Sequence, residues 1–116
     1  MILIKNAQVF APKALGKKDV LLAYDKILEI ADCIEPWRDD LTVIDAAGKM
    51  LVPGFIDQHV HIVGGGGEGG FNTRTPEFQL SKAVTSGVTT LVGLLGTDGY
   101  TKSPELLLAK TKALNN

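Results

Sequence analysis

The sequence predicts an α/β fold in which a short run of β-strands precedes two successive strand–loop–helix units. Three observations carry that expectation. The first fifty residues break into brief apolar runs separated by turn residues. Thr75-Pro76-Glu77 and Ser103-Pro104-Glu105 repeat the punctuation of a helix start, 28 positions apart. An apolar, buried-looking strand leads into each, about Phe55 to Val63 for the first and "VTTLVGLLG" for the second.

The elements follow in order. Residues 2–10 alternate only in part, with Ile2, Ile4 and Val9 apolar and Lys5, Asn6 and Gln8 among them. "DVLLAYDKILEIAD" reads as a hairpin turning at Tyr24-Asp25-Lys26. "LTVIDAAGKMLV" repeats the scheme and predicts a second hairpin with Gly48 at its turn. Residues 1–52 therefore form a small β-unit with few residues for a core of its own, and residues 53–116 hold the two βα units. In the first of these, Thr75 is expected as N-cap, Pro76 at the first helical position, Glu77 in the first turn and Gly87 past the end. Leu80, Ala83 and Val84 would supply that helix's apolar face. In the second, Ser103, Pro104 and Glu105 play the same opening roles.

Two βα units suggest a parallel sheet. A closed (β/α)8 barrel needs eight units and roughly 250 residues, and an open sheet also needs more strands than these. The 116 residues are thus expected to begin something larger, with apolar edges and faces that favour association in isolation.

Composition narrows the class. A chain 45% hydrophobic and 22% charged is that of a soluble globular protein. Its net charge of -1 gives no reason to expect nucleic acid or an anionic membrane as partner. No apolar run approaches the length of a membrane span. Cys33 is the only cysteine, which excludes an internal disulfide and fits a cytoplasmic location; it is assigned no role.

The chemistry concentrates in "GFIDQHVHIVGGGGEGG". His59 and His61 are the only histidines, and at i and i+2 on a strand they share a face, with Asp57 beside them. Two imidazoles at the C-terminal end of a parallel strand can ligate a zinc-like cation. Such pairs also arise by chance on strands, so the spacing alone names no reaction. Zinc takes three or four protein ligands; Asp57, Glu68 or Asp98 would have to complete a site within this chain. The Gly64–Gly70 run reads either as a flexible linker or as a loop whose N–H groups approach a ligand. It lacks the Lys-Ser/Thr ending of a phosphate-binding loop. Glu68, its only charge, is either solvated or, in a site, holds a substrate amine or serves in proton transfer. Thr97 and Asp98 stand at the corresponding edge of the second strand, where Asp98-Gly99 also makes an ordinary turn.

"PGFIDQHVHIVGGGGEGG", continued by "TRTPE" and "GVTTLVGLLGTDG", closely resembles the N-terminal part of the isoaspartyl (β-aspartyl) dipeptidases of the amidohydrolase superfamily. The first nine residues of that string mark the superfamily, and the glycine loop with "GLLGTDG" narrows it. The likeness is dense from Pro53 to Asn116 and looser before it. The resemblance implies a (β/α)8 barrel flanked by a small β-sandwich that residues 1–52 begin. It implies a two-zinc site, with His59 and His61 as ligands of one metal. It further implies that Gly66, Gly67 and Glu68 hold a β-aspartyl dipeptide, Glu68 taking the free amino group, and that Thr97 is another substrate contact. A metal-activated hydroxide would then attack the isopeptide carbonyl. The family's other ligands, a carboxylated lysine, two histidines and an aspartate base, lie on later strands. This chain alone is accordingly expected to be inactive, needing the remainder of its own polypeptide, and the full-length protein to be a homo-oligomer. The alternatives are a dihydroorotase- or hydantoinase-like cyclic amide hydrolase, or a non-catalytic module that binds metal weakly or merely packs.

Overall fold

The computed structural model describes residues 1–115, which divide into two compact units, Met1–Pro53 and Gly54 onward. In the first unit, β1 (Ile2–Phe10) is the middle of a five-stranded sheet. β2 (Ala14–Ala23) pairs antiparallel along one side of it, and β3 (Lys26–Ala31) pairs antiparallel with β2. The hairpin between β2 and β3 forms as the sequence predicts, with Tyr24 in the left-handed region at φ 53°.

The second predicted hairpin does not form. β4 (Thr42–Asp45) and β5 (Met50–Leu51) instead share the other side of β1, both parallel to it. Ala47 and Gly48, both at positive φ, turn the chain so that its donors face β1. Ala46 N–H donates to the Lys5 carbonyl at 2.8 Å and Gly48 N–H to the Asn6 carbonyl at 2.9 Å. The turn is therefore docked on β1, and its two flanking segments have no edge left for each other.

The broken alternation of residues 2–10 has a local cause. The register with β2 shifts between Ile4 and Ala7, where Asn6 takes φ 58°. Asparagine tolerates that conformation better than most residues. The extra residue switches faces: Leu3 packs with Leu21 and Ile34, whereas Ala7 and Val9 pack with Val20. Val20 and Leu21 are consecutive on β2, so these two clusters lie on opposite faces of the sheet. Asp19, 3% exposed, fastens the bulge. Its carboxylate accepts from Asn6 N–H at 2.8 Å and Ile34 N–H at 3.0 Å, with the Lys5 ammonium 3.3 Å away. Burial opposes its charge, but those two N–H groups and Lys5 outweigh it and hold the carboxyl below its usual range.

In the second unit, β6 (Phe55–Val60) and β7 (Val88–Gly93) pair in parallel, as two βα units require. Both strands are shorter than the sequence suggests: β6 ends at Val60, where Ile62 N–H turns back to the Val60 carbonyl, and β7 ends at Gly93. Phe55 and Ile56 are 61% and 62% exposed, so β6 is not the buried strand its composition suggests. α2 (Pro104–Leu114) begins as predicted, the Ser103 side chain accepting from Leu106 N–H at 3.3 Å. α1 (Leu80–Thr85) does not: Thr75 is not its cap, and Gln79 precedes it in extended conformation. Gly87 does end it, at φ 73°, but of the expected apolar face only Ala83 is buried. No helix among the described residues is long and apolar enough to cross a membrane.

Candidate active site

His59 lies on β6 and His61 in the turn just beyond it. Their ring centroids are 5.2 Å apart and their planes meet at 80°, edge to face. Glycine makes room for the second ring: a Cβ at Gly65 would stand 3.2 Å from it and one at Gly96 3.5 Å from its Nδ1. That Nδ1 is buried and has no hydrogen-bond partner. A buried polar atom left unpaired is costly, so its presence points to a ligand that the described residues do not supply.

Two adjacent imidazoles fit part of the coordination shell of a divalent cation. No group of three or more His, Cys, Asp and Glu side chains among the described residues completes it. The three carboxylates considered for that task have other partners. Asp57 accepts from the His59 backbone N–H at 3.1 Å. Asp98 is held by Thr101, Tyr100 and Arg74. The Glu68 carboxyl is drawn below its usual range by its own backbone N–H, then by the Thr97 hydroxyl, with His61 adding to the effect. Glu68 is exposed and anionic at neutral pH, which suits it to a cationic group.

The glycine loop is shaped, not slack. Gly64 and Gly66 have φ of 86° and 74°, and a Cβ would meet the carbonyl oxygens of Thr75 at 2.5 Å and Thr73 at 2.6 Å. Thr75 clips the loop: its N–H donates to the Gly65 carbonyl at 2.8 Å, and its hydroxyl accepts from Gly65 N–H at 2.9 Å. The Thr75 hydroxyl is thus turned to the loop, and Phe78 N–H, which it would have capped, goes to the Ile62 carbonyl at 3.0 Å, so α1 starts later. The Thr97 hydroxyl donates across to the Gly66 carbonyl at 3.4 Å. Lys102 donates to the Val63 carbonyl at the loop's entrance.

Gly67, Gly70, Phe71, Thr97, Asp98 and Tyr100 line a cavity of about 230 Å³ beside this loop. Thr97 lines this cavity and also acts on the Glu68 carboxyl, so the two belong to one end of the loop. Sequence reasoning missed Arg74 and Lys102. Arg74 had one legible signal, as the single Lys or Arg between Lys49 and Lys82 in a stretch rich in glycine.

The amidohydrolase family profile matches residues 42–110, more than half of the chain. The chain belongs to the amidohydrolase family. Among solved amidohydrolase-like structures, it is 51% identical to the β-aspartyl dipeptidase of Fervidobacterium islandicum AW-1, solved in complex with β-Asp-Leu. That superposition covers 98% of this chain and 29% of the other, with a TM-score of 0.82. It is also 37% identical to a dihydroorotase of Listeria monocytogenes serotype 4a over 108 residues, 92% of this chain and 24% of the relative. An L-hydantoinase of Arthrobacter aurescens shares the fold at a TM-score of 0.66 and 23% identity, over 96% of this chain and 24% of that one. This amidohydrolase chain thus spans between about a quarter and three tenths of the length of these relatives.

Proposed function

We propose that the protein is a metal-dependent isoaspartyl dipeptidase, hydrolysing β-aspartyl dipeptides to aspartate and a second amino acid. The observation that carries this reading is His59 and His61 edge to face beside a shaped glycine loop that carries the exposed Glu68. Half-identity with a β-aspartyl dipeptidase supports it.

In this reading His59 and His61 hold one zinc of a pair, whose remaining ligands come from the length that the relatives have beyond the matched region. A bound divalent cation polarises the amide carbonyl and acidifies water. This chain's own residues do the rest of the work near the substrate's amino end. The Glu68 carboxylate takes the free ammonium as a charge-assisted hydrogen bond. Gly66 and Gly67 let backbone approach the dipeptide where a side chain would stand, and the Thr97 hydroxyl adds a directional contact. The 116-residue chain by itself is inactive on this account.

The test is to express the complete protein and measure β-Asp-Leu hydrolysis with and without chelator. Activity that chelator abolishes and zinc restores is expected; absent or chelator-insensitive activity sinks the assignment. His59→Ala should lose zinc and activity together. Its loss should be on the order of 10³-fold or more, beyond the 10- to 100-fold typical of an outer-shell partner. Unchanged zinc content would remove His59 from the site.

A cyclic amide hydrolase is the second reading, favoured by the dihydroorotase relatives. Glu68 in the glycine loop weighs against it, since a ring amide offers no free ammonium. Preference for dihydroorotate or a hydantoin over β-Asp-Leu in a substrate panel would reverse the order.

A further inference from the structure

We propose that Arg74 and Asp98 form a brace that holds the glycine loop in the shape that receives the substrate's amino end; both are positioning residues. The substrate part of this inference rests on the dipeptidase reading above. Arg74 Nε stands 3.1 Å from Asp98 Oδ2, and Asp98 is nearly buried. Arg74 leaves the loop's far side, just after the turn at Phe71–Thr73, and Asp98 sits at the edge beyond β7. The ion pair therefore joins the loop to the second strand's exit.

Its contact with the loop is direct. A Cβ at Gly67 would lie 3.3 Å from Arg74 Cγ and 4.0 Å from Asp98 Cβ, so the Gly67 backbone rests on the pair. The next residue is Glu68. Asp98 is itself fixed: Oδ1 accepts from Tyr100 N–H at 3.1 Å and Thr101 N–H at 3.0 Å, and the Thr101 hydroxyl donates to Oδ2. The neighbouring Thr97 hydroxyl reaches Gly66 from the same edge. Neither side chain of the pair touches the histidines in any hydrogen bond, so its effect on chemistry is through the loop.

Without the brace, Gly67 and Glu68 keep the Thr75 clip upstream, the Thr97 contact at Gly66 and the Gly70–Gly67 turn, but lose the pair that packs against Gly67 itself. Glu68 then samples positions that miss the ammonium. The cost falls on binding more than on turnover, because the histidine pair is left in place.

The experiment uses the complete protein and three variants, Arg74→Met, Asp98→Asn and Arg74→Lys. Hydrogen exchange at residues 64–70 should quicken on the order of tenfold or more in the first two, with exchange in β6 and β7 unchanged. KM for β-Asp-Leu should rise about tenfold while kcat stays within about threefold, and zinc content should hold. Arg74→Lys should recover part of the KM, since it keeps the charge and loses the fork. Wild-type exchange in the loop, or a fall in kcat at constant KM, would overturn the brace. If the wild-type protein cleaves no β-aspartyl dipeptide, the dipeptidase reading fails, and the exchange measurement still decides the brace.

Discussion

Asp19 in the first unit and Asp98 in the second are built alike: each is a nearly buried carboxylate that accepts two backbone N–H groups and faces one cation. Their surroundings differ. Asp19 collects Asn6 and Ile34, distant in sequence, and sits between strands whose apolar clusters form the unit's core. Asp98 takes its N–H groups from the turn that immediately follows it, and its other neighbours are glycines and a cavity. One carboxylate ties a core, the other a loop. The same electrostatic arrangement should therefore report in stability at Asp19 and in substrate affinity at Asp98.

The largest test of that contrast replaces the loop's own backbone freedom. Gly64→Ala adds a Cβ 2.5 Å from the Thr75 carbonyl oxygen at a φ of 86°, so loop or clip has to move. A displacement near 1 Å at a binding element can cost on the order of 10²-fold. kcat/KM of the complete protein on β-Asp-Leu should fall by at least that much, while strands β1–β3 keep their exchange protection. A variant within threefold of wild type would show that the loop's shape is irrelevant to function and would dissolve the comparison.

Asp19→Asn comes next. It removes the charge that Lys5 and two N–H groups stabilise, at a cost of about 2 kcal/mol in the first unit. Denaturant unfolding followed by exchange in β1 and β2 measures it, and KM should not change. The acid response has a definite sign. The folded carboxyl titrates below its ordinary value of 3.8, so its stabilisation is complete above that pH and is lost as pH falls through the depressed value. Asp19→Asn should flatten the unit's acid limb below about pH 4. An equally steep limb would mean that another group carries it.

The parts of this architecture legible in the sequence are those set by neighbours in the chain. Ser103-Pro104-Glu105 caps its helix because nothing else competes for the serine hydroxyl. The identical grammar at Thr75-Pro76-Glu77 fails because Gly65, ten residues earlier, draws that hydroxyl to itself and Ile62 takes the Phe78 N–H it would have capped. The hairpin at Tyr24 is local and was readable; the placement of β4 and β5 on β1 depends on a bulge at Asn6 and was not. At the site, the histidine pair and Glu68 could be named from motif and spacing. Arg74 stands out in the sequence as a lone cation, but its role does not, since that comes from Asp98, brought to it by the parallel pairing of β6 and β7.

The smallest effect sharpens the comparison from the other side. Gly48 shares the left-handed backbone of Gly64, with φ 80°, but a Cβ there would meet nothing within 4 Å. Gly48→Ala therefore isolates the conformational cost of a side chain at positive φ from any steric one. About 1 kcal/mol is expected, within the range for an L-residue held left-handed. Ala47 beside it already bears that conformation at φ 49°, so the turn should keep its docking on β1. A urea unfolding free energy lowered by that amount, with kcat and KM unchanged, would separate the two glycines by what surrounds them. A much larger loss would mean that the turn at 46–48 fails as a unit when either residue is strained, and that the β4–β1–β5 edge depends on glycine as much as the loop does.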